Sequence, residues 1–153
     1  MKYKYSKDFE ITYTGLDSNA KISLTSAISL AQNMVTEYFE SFKSDNKTIK
    51  DKNNALWVLT KTKILFNSFP TWKDTIKGIS YTTKNSQIRS ESEIIFKDKI
   101  DNLVFIAKQE YCIIDIDTRK VRKISSVNYP EDMEFESEIY KDVYRKLKYG
   151  FEE

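Results

Sequence analysis

The N-terminal part of the chain alternates apolar and polar residues. Phe9, Ile11 and Tyr13 are separated by single polar residues, which is the period of a half-buried strand. Gly15 comes soon after this run and closes it. The pattern predicts a first strand over residues 9–14.

A different spacing begins at Leu24. Apolar residues then recur at intervals of three and four as far as Phe42, which places them along one face of a helix. Ser23 stands before this run and is a suitable N-cap. The spacing predicts a helix over residues 24–43, roughly 30 Å long at a rise of about 1.5 Å per residue. A helix of this length requires a large surface to cover its apolar face.

The rest of the chain consists mainly of strand patterns separated by polar turns. The predicted strands cover residues 55–66, 75–83, 87–96, 103–116 and 121–124. Turn-forming polar residues fill 97–102 and 117–120 between them. One strand, one long helix and a run of antiparallel strands predict an α+β fold with the helix buried against one sheet face.

The C-terminal part has a different composition. From Pro130 onward, acidic and basic residues alternate around a few apolar ones, which predicts a short solvated helix or a contact with another domain. The length of 153 residues matches one domain. We therefore expect a domain over residues 1–128 and a charged helical segment over 129–153.

The composition excludes several classes of partner and location. The chain has 25 basic and 23 acidic residues, so no charge excess favours nucleic acid or an anionic membrane. No run of 18 apolar residues occurs, and no transmembrane helix is expected. The single cysteine, Cys112, cannot form an internal disulfide, and no signal-peptide pattern follows the N-terminus. A cytoplasmic location is expected.

The chain contains no histidine. This excludes Ser-His-Asp and Cys-His catalysis and removes the commonest metal ligand. With a single cysteine as well, neither a zinc site nor another metal or cofactor is expected. Cys112 has no basic neighbour in sequence that would lower its pKa, so it is predicted to be a small core residue.

The segment LDSNAKIS at residues 16–23 resembles the D-x-N-x-H-V-N motif of the acyl-acyl-carrier-protein thioesterases. Asp17 and Asn19 match that motif, and Lys21 stands at its histidine position. Further similar features follow in the family's order, namely Trp57 on a strand, Phe69-Pro70, Arg89 on a later strand and the run YCIIDIDTRK at residues 111–120. The resemblance covers residues 3–124 and is to the N-terminal half of the family.

The resemblance implies a hotdog fold, in which a curved antiparallel sheet wraps a long central helix. Typical members of the family carry two fused hotdog halves, and this chain is expected to be either a one-hotdog relative or a truncated form. A lone curved sheet leaves an edge strand unpaired, which a two-fold related copy can cover. A homodimer is therefore expected.

The resemblance also proposes catalytic residues. Thioester hydrolysis needs a base to activate water and a group that polarises the carbonyl. In the family's catalytic half a helix glutamate follows the motif, and the corresponding position here is Asn33. Asp17, Asn19 and Glu37 are the candidates, because Glu37 lies one helical turn beyond Asn33. The alternative is structural: the first two are good loop residues before a helix, and Glu37 is a solvated helix residue.

Five further residues are candidates for substrate binding: Lys21, Gln32, Asn33, Trp57 and Arg89. Gln32 could donate to a thioester carbonyl, Trp57 could line a cavity and Arg89 could reach a phosphopantetheine phosphate. The alternatives are helix surface for Gln32, a core aromatic for Trp57 and an exposed cross-strand pair with a glutamate for Arg89.

Two functions remain open. The resemblance implies a protein that hydrolyses or binds fatty acyl thioesters of acyl carrier protein or coenzyme A, with the acyl chain along the buried helix. The alternative is a non-catalytic acyl-binding or scaffold module, favoured by the missing histidine and helix glutamate. A DNA-binding regulator is not expected, since no helix-turn-helix pattern flanks the domain.

Overall fold

The computed structural model describes residues 3–135 and 139–140 and consists of one antiparallel sheet wrapped around a helix. Its elements are β1 (Tyr5–Glu10), α1 (Leu24–Glu40), α2 (Asn46–Asn53), β2 (Ala55–Phe66), β3 (Thr75–Asn85), β4 (Arg89–Lys97), β5 (Leu103–Asp115) and β6 (Val121–Arg122), with short 3-10 helices at Tyr13–Gly15 and Ile124–Ser126. The predicted α+β architecture is confirmed.

The sheet has the strand order β1-β3-β4-β5-β2, and every neighbouring pair is antiparallel. β6 pairs with the end of β5. The register shifts between Leu59 and Lys61 in β2 and between Thr82 and Lys84 in β3. Such bulges bend a strand and increase its twist, which helps the sheet curve around α1.

The two faces of the sheet carry different side chains, because successive residues of a strand point to opposite faces. Phe96 of β4 faces α1 and stacks on Phe105 of β5 at 4.2 Å between ring centroids. The buried residues of α1 that cover this inner face are Ala27, Ala31, Met34, Val35, Tyr38 and Phe39. Packing is tight: a Cβ on Gly78 of β3 would lie 3.0 Å from Met34 Sδ and 3.1 Å from Phe96 Cε1.

An aromatic cluster fills the core at the C-terminal end of α1. Its central ring is Phe39, which is 2% exposed. The ring stacks on Trp57 at 4.5 Å and meets Tyr111 edge-on at 5.7 Å. Trp57 is buried, and its Nε1 donates to the backbone oxygen of Ser44 at 2.7 Å. The cluster joins α1 to β2 and β5.

The outer face of the sheet carries a second, smaller core. Tyr81, Ile95 and Ile106 pack there with Tyr140. The backbone N–H groups of Ile139 and Tyr140 both donate to the carboxylate of Glu93, at 3.0 Å to Oε1. Residues 139–140 therefore lie on this outer face. The described residues after 128 contain no helix, and the rest of the predicted C-terminal helix lies outside the described residues.

The first strand was misplaced by the sequence pattern. β1 covers Tyr5–Glu10, not residues 9–14. The alternation continues through Ile11 and Tyr13, but the N–H of Ile11 donates to Asp74 rather than to a strand partner. Tyr13 then starts a 3-10 turn and is 73% exposed. Its apolar character reflects surface packing rather than a core-facing strand position.

The long helix is shorter than predicted, and a second helix was missed. α1 ends at Glu40, because Lys43 takes the left-handed conformation with φ 60° and Ser44 donates to the Phe39 carbonyl. α2 follows directly. Its N-cap is Asp45, whose side chain accepts from Thr48 N–H at 3.2 Å. Ile49 is the one buried residue of this helix. Because α2 has so little apolar periodicity, the hydrophobic pattern could not predict this helix.

Candidate functional site

The motif-bearing loop between β1 and α1 is a closed turn. Asp17 N–H donates to the Lys21 carbonyl at 2.7 Å. Asp17 Oδ1 in turn accepts from the N–H groups of Asn19 at 2.8 Å and Lys21 at 3.2 Å. Ala20 completes the turn in the left-handed conformation, with φ 57°. This carboxylate oxygen stabilises its own loop, and the side chains of Asn19 and Lys21 are left exposed.

A recess lies between this loop region and the first two turns of α1. Its volume is about 230 Å³, and we call it the α1 recess. Ile11, Ile22 and Leu30 supply its apolar lining. The hydroxyl-bearing residues Ser26 and Ser29 line it from the helix. The cavity is therefore a mostly apolar slot with hydroxyls along one side, beside the turn formed by Asp17, and the exposed Glu10 is also among its lining residues.

Glu37 belongs to a different part of α1. Twelve residues separate it from Thr25 in the first turn, which is about 18 Å along the helix axis. Its carboxylate accepts from the Tyr5 hydroxyl at 2.7 Å and from Lys7 Nζ at 2.8 Å. Partial burial alone would raise the pKa of Glu37, but these two hydrogen bonds outweigh it and lower the pKa. Glu37 is thus an ionised anchor between α1 and β1, and it does not line the α1 recess.

The same hydrogen bond has the opposite effect on its tyrosine partner. The hydrogen bond from the Tyr5 hydroxyl to Glu37 favours the protonated phenol. Together with desolvation and the charge of Glu37, this bond raises the pKa of Tyr5 to about 12. Tyr5 therefore remains a hydrogen-bond donor to Glu37 at physiological pH.

Gln32 and Asn33 do not line the α1 recess. Gln32 is half-buried and its backbone oxygen accepts from Thr36 Oγ1 at 2.9 Å, while Asn33 is exposed. Both lie beyond the recess toward the C-terminal end of the helix. The structure therefore does not bring them together with the turn of Asp17.

Trp57 and Arg89 are also remote from the recess. Trp57 is part of the aromatic cluster in the core. Arg89 points to the outer face of the sheet, where its Nε lies 3.7 Å from Glu110 Oε1. That carboxylate also accepts from Thr60 Oγ1 at 2.7 Å. Arg89 thus forms the cross-strand pair with a glutamate that was the alternative expectation.

Cys112 is buried in β5. Burial raises the pKa of its thiol, and the charge of Glu110 raises it further, against a smaller opposite effect of Arg89. The thiol therefore stays protonated and has the properties of a core residue.

A surface beside the recess was not predicted from the sequence. We call it the aromatic–lysine surface, and it consists of Tyr13, Lys21, Phe69, Trp72 and Lys73. Tyr13 meets Trp72 edge-on at 6.1 Å between centroids. Lys73 Nζ lies 4.7 Å from the Trp72 ring and Lys21 Nζ 5.6 Å from the Phe69 ring. The signal in the sequence was the short loop FNSFPTW at residues 66–72, with three aromatic residues among turn-forming ones.

No group of three or more Asp, Glu or Cys side chains in residues 3–135 and 139–140 is placed to hold a metal ion. No helix in that part of the chain has both the length and the apolar character needed to span a membrane.

Comparison with known proteins gives matches in sequence and in structure. A family model of the acyl-ACP thioesterase N-terminal domain matches residues 2–129. The chloroplastic acyl-acyl-carrier-protein hydrolase FATB1 of Cuphea viscosissima is 27% identical over 74 residues, which cover 48% of this chain and 18% of that protein. The chain thus spans under a fifth of that relative.

Solved structures share the fold at low sequence identity. An acyl-ACP thioesterase from Bacteroides thetaiotaomicron has a TM-score of 0.74 at 15% identity, covering 89% of this chain and 58% of that chain. The 12:0-ACP thioesterase from Umbellularia californica has a TM-score of 0.69 at 15% identity, with coverages of 81% and 50%. A DHNA-CoA thioesterase from Staphylococcus aureus has a TM-score of 0.74 at 15% identity, with coverages of 80% and 81%. The predicted hotdog fold is confirmed.

Proposed function

Because the chain belongs to the acyl-acyl-carrier-protein thioesterase family, we propose that it binds fatty acyl thioesters of acyl carrier protein or coenzyme A in the α1 recess. One observation supports this placement more than any other. The recess is an apolar slot next to the turn that carries the family-like motif residues Asp17 and Asn19. A role in fatty acid metabolism is part of the proposal.

The recess, rather than the buried face of α1, is the place for the acyl group. Met34, Phe96 and Gly78 are in close contact beneath the helix, so an acyl chain cannot pass under α1 at this point. At about 230 Å³ the recess is smaller than the roughly 300–1,000 Å³ of common ligand pockets. It would hold a short acyl chain or the part of a longer chain nearest the thioester.

The start of α1 would polarise the thioester carbonyl. The first N–H groups of a helix have no intrahelical acceptor. Ser23 Oγ accepts the N–H of Ser26 at 3.0 Å, which leaves those of Leu24 and Thr25 to interact with the carbonyl oxygen. The hydroxyl of Ser29 lies on the helix side of the same slot.

Binding without hydrolysis is the form of this function that the geometry supports best. Asp17 has an oxygen engaged by two backbone N–H groups, and Glu37 lies about 10 Å along α1 beyond the recess residue Leu30, with both of its carboxylate oxygens engaged in hydrogen bonds. Neither is in position to activate water at the recess. Hydrolysis is the second candidate, favoured by family membership, and Asp17, Asn19 and Glu37 are its proposed catalytic residues.

Filling the recess should weaken binding. Ser29→Phe is expected to weaken the affinity for a fatty acyl thioester at least tenfold, because the new ring would occupy the slot. Thr36→Phe, an exposed position on the same helix outside the recess, is the matched control and should bind like the wild type. Titration calorimetry with an acyl-coenzyme A and an acyl-carrier-protein thioester measures both. Equal affinities for the two variants would place the ligand elsewhere.

Thiol release from the same thioesters separates the two candidate functions. Saturable binding with no thiol release supports the non-catalytic form. Release that is abolished by Asp17→Ala or Glu37→Ala would establish hydrolysis and identify its base.

We also propose that two copies pair along β2. Within the described residues the only strand partners of β2 are in β5; on its other edge Asn46 bonds the backbone of Trp57, and the rest of that edge has no strand partner. A two-fold related copy would cover this edge. Multi-angle light scattering should give the mass of a dimer, and a monomer at all accessible concentrations would contradict the proposal. A cytoplasmic location is proposed as well, supported by a single, unpaired cysteine.

A further inference from the structure

Positive charge is concentrated at one end of the sheet, in the end of α2 and the turn between β5 and β6. Residues 50–54 and 115–123 together contain six basic and three acidic residues, a net charge of +3, although the whole chain carries only +2. The small overall charge gave no reason to expect an anionic partner. The local excess does, because a cluster of one sign attracts opposite charge at short range.

The two segments are joined by hydrogen bonds. Arg122 Nη1 donates to the Asn53 carbonyl at 2.5 Å, and Asn54 Nδ2 donates to Asp117 Oδ2 at 2.7 Å. The N–H of Ile116 donates to the Asn54 carbonyl at 3.0 Å. The end of α2 and the β5–β6 turn therefore form one surface, which we call the basic end. Its exposed basic residues are Lys52, Arg119, Lys120 and Lys123.

These four exposed cations have no anionic partner within the protein. In the described part of the chain, no carboxylate lies within ion-pair distance of any of them. The neighbouring acids have other contacts: Asp115 Oδ2 lies 3.8 Å from Arg122 Nη1, and Asp117 accepts from the Asn54 amide. The cations of the basic end are therefore available to an external anion.

The tip of the basic end is an ordered, protruding turn. Five consecutive residues, 117–121, are exposed. Asp115 Oδ1 accepts from the N–H groups of Asp117 at 3.0 Å and Thr118 at 2.9 Å, and the N–H of Arg119 donates to the Asp115 carbonyl at 2.9 Å. A turn that is ordered before binding loses little conformational entropy when a partner docks.

Val121 adds an apolar group to this charged tip. It is 51% exposed and directly follows Lys120. Exposed apolar side chains among lysine and arginine favour binding to a membrane surface, because the apolar group enters the headgroup layer while the cations meet anionic lipids. A folded protein partner needs roughly 800 Å² of matching surface, which a convex tip does not offer. A lipid surface adapts to such a shape.

We propose that the basic end docks on an anionic lipid surface as a peripheral contact. Its lysines and arginine would approach the anionic headgroups, and Val121 would enter the layer between them. The basic end lies toward the C-terminal end of α1, because Ile113 pairs with both Arg122 and Trp57, and Trp57 stacks on Phe39. The α1 recess lies at the first turns of the helix and would remain open to water.

Vesicle sedimentation tests this proposal. The wild type should bind vesicles of equal parts phosphatidylglycerol and phosphatidylcholine at least tenfold more tightly than vesicles of phosphatidylcholine, and less tightly as the salt concentration rises. Lys120→Glu/Lys123→Glu should weaken this binding at least tenfold. Lys77→Glu/Lys99→Glu makes the same change in net charge at two exposed lysines elsewhere. This matched control should change the binding less than threefold.

A second pair of variants tests the apolar contact. Val121→Ser should weaken binding to the anionic vesicles about threefold, because it removes the side chain that enters the headgroup layer. Ile100→Ser removes a 78% exposed apolar side chain elsewhere and should leave vesicle binding unchanged. Thermal unfolding verifies that each variant is folded.

The outcomes are decisive for the basic end and separate from the proposed function. Loss of vesicle binding confined to the basic-end variants supports the proposal. Equal loss for Lys77→Glu/Lys99→Glu, or a wild type that binds neither kind of vesicle or both alike, overturns it. Loss of acyl-carrier-protein thioester binding in Lys120→Glu/Lys123→Glu with unchanged vesicle binding would assign the surface to an acidic protein and also overturn it. Binding of an acyl-coenzyme A thioester, which tests the proposed function alone, should be the same in all variants and the wild type.

Discussion

Replacing Phe39 with alanine is expected to lower the free energy of unfolding by about 3–5 kcal/mol, the range for removing a buried phenylalanine ring. Phe39 is 2% exposed and is the central ring of the aromatic cluster. Its neighbours at ring-centroid distances of 4.5–6.1 Å are Trp57, Tyr111, Phe42, Tyr38 and Tyr129. The substitution removes dispersion contacts with all five rings and leaves a cavity that the rigid sheet cannot collapse to fill.

Urea denaturation of the wild type and the variant measures this loss. Phe39→Leu keeps most of the volume and should cost less than Phe39→Ala. Phe135→Ala, at a 50% exposed position, is the matched control, expected to change the free energy by no more than about 0.5 kcal/mol. A loss below about 1 kcal/mol for Phe39→Ala would show that the cluster repacks freely, against the role assigned to its central ring.

The second large effect is expected on the outer face of the sheet. Glu93→Ala should lower the free energy of unfolding by about 3–5 kcal/mol, because it breaks a buried charged network. Glu93 is fully buried. It accepts from Ile139 and Tyr140 N–H groups and faces Lys108, its register partner on β5. The variant leaves the N–H of the buried Tyr140 and the N–H of the more exposed Ile139 without this acceptor, and it weakens the compensation of a buried lysine.

The same urea experiment measures the effect, with Glu134→Ala at an exposed position as the control. A loss for Glu93→Ala no larger than that of the control would mean that residues 139–140 do not depend on this carboxylate.

The stability contribution of Glu93 should also depend on pH. Burial raises the pKa of Glu93 above its ordinary value of 4.5, although the hydrogen bonds of Tyr140, Ile139 and Tyr81 and the charge of Lys108 act in the opposite direction. The folded protein therefore holds this proton more tightly than the unfolded chain. Stability from this group is complete below the ordinary value and is lost as pH rises through the raised pKa.

Glu93→Gln isolates this dependence, because it removes the titrating group while keeping the shape of the side chain. The wild type minus variant difference in unfolding free energy should fall as the pH rises above about 4.5 and then level off. A difference that increases with pH over this window would mean that the ionised form is the more stable one in the fold.

The strands of the central sheet were predictable because they are rich in apolar and β-branched residues, which pack on both faces of the sheet. β2 runs from Ala55 to Phe66, the same range that the pattern predicts, since its apolar and β-branched residues dominate the local sequence. α2 was not predictable from periodicity. Its helical state depends on the Asp45 cap and on Asn54 in the left-handed conformation at its end, which are local effects of single residues.

One part of the candidate site could likewise be predicted from the sequence, and another part could not. The closed turn of Asp17 could be anticipated, because aspartate before a helix commonly accepts neighbouring N–H groups. The α1 recess could not, since its lining comes from Ile11, Ile22 and Leu30, whose approach depends on how the loop after β1 folds against α1. The position of Glu37 relative to Asp17 likewise follows from helix geometry once the loop is placed.

The strand order has a consequence for how the chain folds. β3, β4 and β5 are joined by short turns and pair with their sequence neighbours. β1 and β2 instead lie at opposite edges and pair with strands that come much later in the chain. Long-range pairings of this kind slow folding, because loop-closure entropy must be overcome first. The hairpin meander therefore offers a nucleus that can form early, and the helix is enclosed only when the two distant edges close.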